Sequence, residues 1–241
     1  MTVVWKEWRE FLRQRGTIRG TISMLLIPSV ILGVLFPWQT GRIWVESSLS
    51  LATWVFVPIF IVATMIADSF AGERERNTLE TLLASRLSDS TILYGKIAAA
   101  MCHALVMTFI VVTLGLLTVN IFHGEGELIL FSFRTLAGGI TVCILVACFA
   151  SSAGVLVSLR AATVRQAQQT LSIAIVFLAF MPGIIIQMLP SSIKLVIGTF
   201  IESTGTTRII ITAFIVFLFL DLFLLRVARR RFRRTKLILD I

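Results

Sequence analysis

Side chains that could bind a metal or act as nucleophiles are few and scattered along this chain. Its two histidines, His103 and His123, form no cluster with cysteines or carboxylates at the spacing that metal ligands require. Its three cysteines lie in apolar runs, which is typical of small core residues and not of a disulfide framework: Cys102, Cys143 and Cys148. We therefore predict no catalytic, cofactor-binding or metal-binding residue, and we interpret His103 as a membrane-helix residue bonded to a neighbouring helix.

Two other features could carry chemistry, but the sequence gives each of them little support. The only Gly-Lys pair, Gly95-Lys96, is followed by Ile97 and lacks the preceding glycines of a phosphate-binding loop, so any ATP hydrolysis would belong to another chain. Asp221 is the only ionisable residue deep inside an apolar run. It precedes Arg226 by about one helical turn, so we expect the two to pair and do not predict a proton pathway.

The densest charged stretch is residues 68–96, which hold five of the 13 acidic residues between two apolar runs. Asn77 and Glu80 have the spacing of an N-cap and its acidic partner, so a helix is predicted to begin at Thr78. Ser88 and Asp89 form a second capping signal. A short helix of about two turns is predicted between the two capping signals. It would carry a leucine stripe that packs on the protein itself or fills a groove on a partner: Leu79, Leu82 and Leu83.

The composition shows what kind of protein must position this stretch. Of 241 residues, 57% are hydrophobic and 15% charged, against about 45–50% and about 25% in soluble domains. This predicts an all-α, multi-pass membrane protein. The net charge of +9 comes from basic residues beside apolar runs, which favours a role in membrane topology and argues against nucleic acid binding.

We predict one membrane domain over residues 1–241 with six spans. An amphipathic interfacial helix lies within residues 1–19, or alternatively extends the first span, and a basic tail occupies residues 226–241. Prolines are expected to kink the second span at Pro58 and to break the fifth at Pro182 and Gly183, and the segment 190–208 is expected to form a short re-entrant or interfacial helix. The predicted spans are residues 20–36, 49–67, 97–119, 135–158, 170–189 and 209–225.

The basic residues predict the orientation. Eighteen lysines and arginines fall on one side of this arrangement, and only four fall on the other: Arg42, Arg134, Lys194 and Arg208. By the positive-inside rule, both termini and the charged stretch 68–96 are cytoplasmic.

The charged stretch resembles the signature of the membrane subunits of ATP-binding-cassette transporters of the type-2 (ABC-2) class. The predicted N-terminal helix, the six-span layout and the segment before the last span fit the same family. This chain has Asn77 where such proteins often have glycine and Arg86 near a usual proline, and asparagine tolerates a left-handed turn better than most residues. The matching residues are Glu73, Arg74, Glu75, Thr78, Leu79, Glu80, Leu82, Leu83, Gly95 and Lys96.

The resemblance implies a permease subunit, most readily of an exporter in the cell membrane, that works as a homodimer or heterodimer. Its coupling helix would dock on a separate cytoplasmic ATPase, which would hold the ATP and magnesium. A secondary transporter or channel that works without ATP is the alternative. The residues expected to couple to the ATPase are Glu73, Arg74, Thr78, Leu79, Glu80, Leu82 and Leu83, with a second contact at Arg160 and Arg165.

Overall fold

The computed structural model describes residues 27, 29–47, 49–78, 87–204 and 206–232. Within these residues all regular structure is helical and no strand occurs, which confirms the predicted all-α class. Several predicted features lie outside the described residues: the N-terminal amphipathic helix, residues 20–26 and 28 of the first span, the leucine stripe and the end of the basic tail.

The first described helix, α1, covers Ile31–Thr40 and passes through Pro37. The sequence predicts that the span ends over Pro37, Trp38 and Gly41. Proline cannot donate to the carbonyl four residues earlier, which belongs to Gly33. That carbonyl instead accepts a hydrogen bond from Thr118 Oγ1 at 3.2 Å, and the turn Ile31–Leu35 widens into a π-helix. Helix α1 ends at Gly41, where φ is 57°, and α2 follows at Arg42–Glu46.

Helices α3 and α4 both extend into the charged stretch. Helix α3 spans Ser50–Glu75, continues through Pro58 and includes a π-helical turn at Asp68–Gly72, whereas its predicted span ends at residue 67. Helix α4 spans Asp89–His123 and begins eight residues before its predicted span. The charged residues at both ends are accommodated because they bond to one another or to backbone carbonyls, as described below.

Four further helices complete the described chain. Helix α5 covers Phe133–Ser158 and α6 covers Val164–Met188. Helix α6 is continuous through positions 182 and 183, so the predicted break there is wrong; membrane helices tolerate such residues when the freed backbone groups find other partners. Helix α7, Ser191–Thr204, occupies the segment where a short helix is predicted, and α8 covers Thr206–Arg231.

Four described helices are long and apolar enough to cross a bilayer: α3, α4, α5 and the Ile211–Arg231 part of α8. Helix α6 has 25 residues, about 37 Å at 1.5 Å per residue. The chain is therefore a multi-pass membrane protein, while the count of six spans stays a prediction.

Helix α3 is the centre of the bundle and packs against both α4 and α5. Small residues allow the close approach: a Cβ on Gly139 of α5 would lie 2.5 Å from Trp54 of α3, and one on Gly115 of α4 would lie 2.4 Å from Trp44. In the apolar stretch of α3 56% of the residues are buried, against 11% in that of α8. Helix α8 thus lies at the periphery, packed mainly on α5.

Candidate functional site

A buried ion pair joins the C-terminal part of α3 to the N-terminal part of α4. The ammonium of Lys96 lies 3.0 Å from Glu73 Oε1 and donates to the carbonyl of Ser69 at 2.9 Å. It also lies 5.2 Å from the centre of the Phe70 ring. The two side chains are only 1% and 10% exposed. Because both charges are paired away from water, the bond fixes the distance between the two helix ends.

Arg74 joins the same end of α3 to the connection between α5 and α6. Its guanidinium donates to the carbonyl of Ala161 at 2.8 Å and to that of Leu159 at 2.9 Å. Glu75 adds a further contact, because its Oε1 accepts from the backbone N–H of Val164 at 3.2 Å. Helix α3 therefore contacts the α5–α6 connection as well as the start of α4.

Ser158 completes this arrangement, because its hydroxyl lies between two backbone groups of α3 and bonds to both. Its hydroxyl accepts from the N–H of Ala71 at 3.1 Å and donates to the carbonyl of Ala67 at 3.2 Å. An uninterrupted α-helix would pair those two backbone groups directly. The insertion coincides with the π-helical turn Asp68–Gly72, as expected where a side chain enters the hydrogen-bond ladder. We call Glu73, Arg74, Lys96 and Ser158 the polar clamp.

Asn77 ends helix α3 and is not the N-cap that the sequence predicts. Its φ is 54°, in the left-handed region. The N–H of Asn77 bonds to the carbonyl of Arg74 and that of Thr78 to the carbonyl of Glu73, both expected for a Schellman C-cap. Asparagine adopts this conformation at lower cost than most residues apart from glycine, so it suits this helix end.

The second capping signal is confirmed at Ser88. Its hydroxyl accepts from the N–H of Thr91 at 3.2 Å, and α4 begins at the next residue, Asp89. Two caps, at Asn77 and Ser88, therefore bound the residues between α3 and α4. We call residues 77–88 the connecting segment.

The clamp brings together only part of the predicted coupling set. Glu73 is 8% exposed and Arg74 is half-buried, so both side chains face the protein's own elements, whereas Thr78 is exposed and bonded back to Glu73. Arg160 and Arg165 are exposed at the connection that Arg74 holds. The remaining predicted coupling residues lie outside the described residues: Leu79, Glu80, Leu82 and Leu83.

Sequence reasoning did not assign Lys96 or Ser158 a place in this site. Lys96 is part of the family signature, but its partner lies 23 positions away, and no local pattern pairs the two residues. Ser158 is one of several small residues in an apolar run, where serine is equally typical of helix packing. Only the packing of α5 on α3 reveals its role.

Asp221 and Arg226 do not pair, which corrects the sequence expectation. Asp221 is 2% exposed, while Arg226 is exposed on the same helix. Residues five apart point to different sides of an α-helix, since neighbours on one face are three or four apart. His103 is buried within α4. Among the described residues, no three histidine, cysteine or acidic side chains come close enough to bind a metal together.

Comparison with known proteins identifies the family. The model of the ABC-2 type transporter family matches residues 1–196, which include α1 to α6 and the polar clamp. No curated protein sequence and no solved structure matched the chain. Membership of this family implies a partnership with an ABC ATPase in a membrane transport system. The chain belongs to the ABC-2 type transporter family and is an ABC transporter permease subunit.

Proposed function

We propose that this permease is driven by ATP hydrolysis in a separate subunit that docks on the connecting segment, and that the polar clamp carries the movement into the membrane helices. The observation that supports this most strongly is the buried Lys96–Glu73 pair, which joins the two helices on either side of that segment. A push on the segment would reach α3 and α4 together, because neither helix end can move relative to the other without breaking the pair.

The polar clamp also links the α5–α6 connection to the proposed movement. Arg74 donates to two carbonyls of the α5–α6 connection, and Ser158 at the end of α5 enters the backbone of α3. Movement of the connecting segment would therefore displace α5 and α6 as well as α3 and α4. Arg160 and Arg165 are exposed on this connection and are the residues we propose as the second contact with the ATPase.

The leucine stripe is the part of the connecting segment that we propose enters the partner. Glu73 and Arg74 are occupied by contacts within the chain, which leaves Leu79, Leu82 and Leu83 as the apolar anchors. Apolar side chains at helical spacing are typical of a helix that fills a groove on another protein. In this proposal Glu73 and Arg74 position the segment and do not touch the partner.

The proposal extends to the assembly. We propose six spans per chain, two permease chains in a transporter as a homodimer or a heterodimer, both termini in the cytoplasm and the cell membrane as the location. The excess of basic residues near the clamp supports this orientation. Export as the direction rests on the family resemblance, and ATP-dependent accumulation of cargo in inside-out vesicles would test it.

Co-purification tests the docking claim. The full chain is co-expressed with a candidate ABC ATPase, such as one encoded beside it, and the retained ATPase is measured after affinity purification of the permease. Leu82→Asp and Leu83→Asp should abolish retention, because each places a charge on the apolar face. Leu128→Asp is the matched control: Leu128 is 84% exposed in the α4–α5 connection, far from the clamp. Equal retention by the Leu82 and control variants would refute docking through this face.

A further inference from the structure

The described helices leave an arginine-lined cavity beside the connecting segment. It has a volume of about 450 Å³ and lies between the first turn of α4 and the last turns of α8. Sites for small ligands generally measure about 300–1,000 Å³, so the cavity is large enough to hold a compact group. It is lined by Asp89, Ser90, Leu93, Arg226, Arg229, Arg230 and Phe232.

Three guanidinium groups face this cavity from one side of α8. Arg226, Arg229 and Arg230 are spaced three and four residues apart, which places them on one helical face. None of the three guanidinium groups has an ion-pair or hydrogen-bond partner among the residues that the structure describes. One carboxylate, that of Asp89, also lines the cavity, so the lining carries three positive charges and one negative charge.

The rest of the lining also suits an anion. Ser90, whose hydroxyl lies 3.1 Å from that of Ser88, also lines the cavity, and α4 directs its N-terminal end, with its partial positive charge, toward the same space. Guanidinium groups bind phosphate with paired, charge-assisted hydrogen bonds, which makes arginine the usual residue for phosphate recognition. The helix end therefore adds to a preference that the three arginines already establish.

The position of the cavity at the end of a membrane-spanning helix favours a lipid phosphate. Arg226 lies within the apolar helix Ile211–Arg231, so the cavity opens where a membrane-spanning helix leaves the bilayer. Phe232 anchors this end of α8: it is 2% exposed and its ring lies 5.4 Å from that of Phe70. Phe70 in turn lies beneath Lys96 of the polar clamp. A ligand in the cavity would thus bridge α4 and α8 beside the clamp.

We propose that this cavity binds a phosphate group, carried by an anionic lipid headgroup or free in solution, and that binding stabilises the contact between α4 and α8. The binding can be measured on this chain without a partner protein.

Thermal unfolding of the purified full chain in a non-ionic detergent tests the proposal. Phosphatidylglycerol should raise the Tm by about 3–8 °C, the range expected for a ligand well above its Kd in a protein of this size. Diacylglycerol, which lacks the phosphate, should not raise it. A triple variant, Arg226→Gln with Arg229→Gln and Arg230→Gln, should lose the shift.

The matched control removes the same charge elsewhere. Arg134→Gln, Arg208→Gln and Arg231→Gln together replace three exposed arginines that do not line the cavity, and this variant should keep the full shift. Ser90→Asp leaves every arginine in place and adds a negative charge to the cavity, so it should also lose the shift. This variant keeps the proposal testable if the cavity triple variant folds poorly.

Inorganic phosphate, compared with sodium chloride at equal ionic strength, identifies the source. A shift with phosphatidylglycerol that much exceeds the shift with phosphate assigns the site to a lipid headgroup, and equal shifts assign it to free phosphate. The proposal is overturned if neither raises the Tm, if the cavity variants keep the wild-type shift, or if the control triple variant loses the shift to the same extent.

Discussion

The ammonium of Lys96 and the carboxylate of Glu73 meet at 3.0 Å although they are 23 positions apart, and both are buried. The pair closes the base of the connecting segment and unites α3 with α4. Removing one partner of a buried pair leaves the other charge without compensation, whereas replacing both with apolar residues of similar size is often neutral. This difference gives the first prediction.

Lys96→Met should destabilise the protein by about 3–5 kcal/mol, because Glu73 would remain buried without its partner. Glu73→Met should have a similar effect. The double variant should lie much closer to the wild type than the sum of the two single effects. Unfolding of all four proteins in detergent completes the cycle, and additive single effects would show that the two charges do not interact.

Arg74→Gln should destabilise the protein by about 1.5–3 kcal/mol, the usual contribution of hydrogen bonds to a charged group. The carbonyls of Leu159 and Ala161 would lose their donor. Arg76→Gln is the control, because the Arg76–Asp68 bridge lies nearer the surface, with side chains 42% and 21% exposed, and such bridges contribute about 0–1 kcal/mol. Thermal unfolding compares the two variants, and equal losses would contradict the role given to Arg74.

Asn77→Gly should leave stability unchanged or raise it slightly, because glycine adopts a positive φ without a steric penalty. Asn77→Ala should cost about 1 kcal/mol, since alanine keeps the Cβ but lacks the short polar side chain whose local hydrogen bonds help asparagine adopt the left-handed region. The two variants differ by one methyl group at an exposed site, so the difference in Tm between them reports the backbone conformation. If Asn77→Ala were more stable than Asn77→Gly, residue 77 would not have the left-handed backbone conformation.

Gly139→Ala should destabilise the bundle by about 1–3 kcal/mol, as overpacking of a core usually does. The new Cβ would lie 2.5 Å from the Trp54 ring, which is 1% exposed and cannot easily move. The adjacent Gly138→Ala has open space around its Cβ, and it should gain up to about 1 kcal/mol from helix propensity. Thermal unfolding of both variants tests the packing of α5 on α3, and a neutral Gly139→Ala would show that the helices can separate at this point.

The sequence predicts the all-helical class because long apolar runs leave few alternatives in a membrane. It ends the second span at residue 67 and begins the third at residue 97, inside helices α3 and α4, because charged residues such as Glu73 and Lys96 look like parts of a loop until their pairing is known. That pairing depends on two helices meeting, which local patterns do not encode. The bonds of Arg74 and Ser158 to residues more than 80 positions away are hidden for the same reason.

Asn77 shows a different limit. The Asn77–Glu80 spacing fits an N-cap, and a left-handed helix end also favours asparagine. Both interpretations explain the residue, and only the backbone angle distinguishes them. The same residue type thus serves either the start or the end of a helix, and the sequence alone does not separate the two.

Whether the polar clamp transmits movement can be read from ATP hydrolysis by the partner ATPase, reconstituted with the Glu73→Met, Lys96→Met double variant. This variant should be stably folded and should still bind the ATPase, because its leucine face is unchanged. We expect its stimulation of hydrolysis to fall toward the rate of the ATPase alone, since the two helix ends are no longer joined by charge. Stimulation equal to that of the wild-type permease would show that the polar clamp does not transmit the movement.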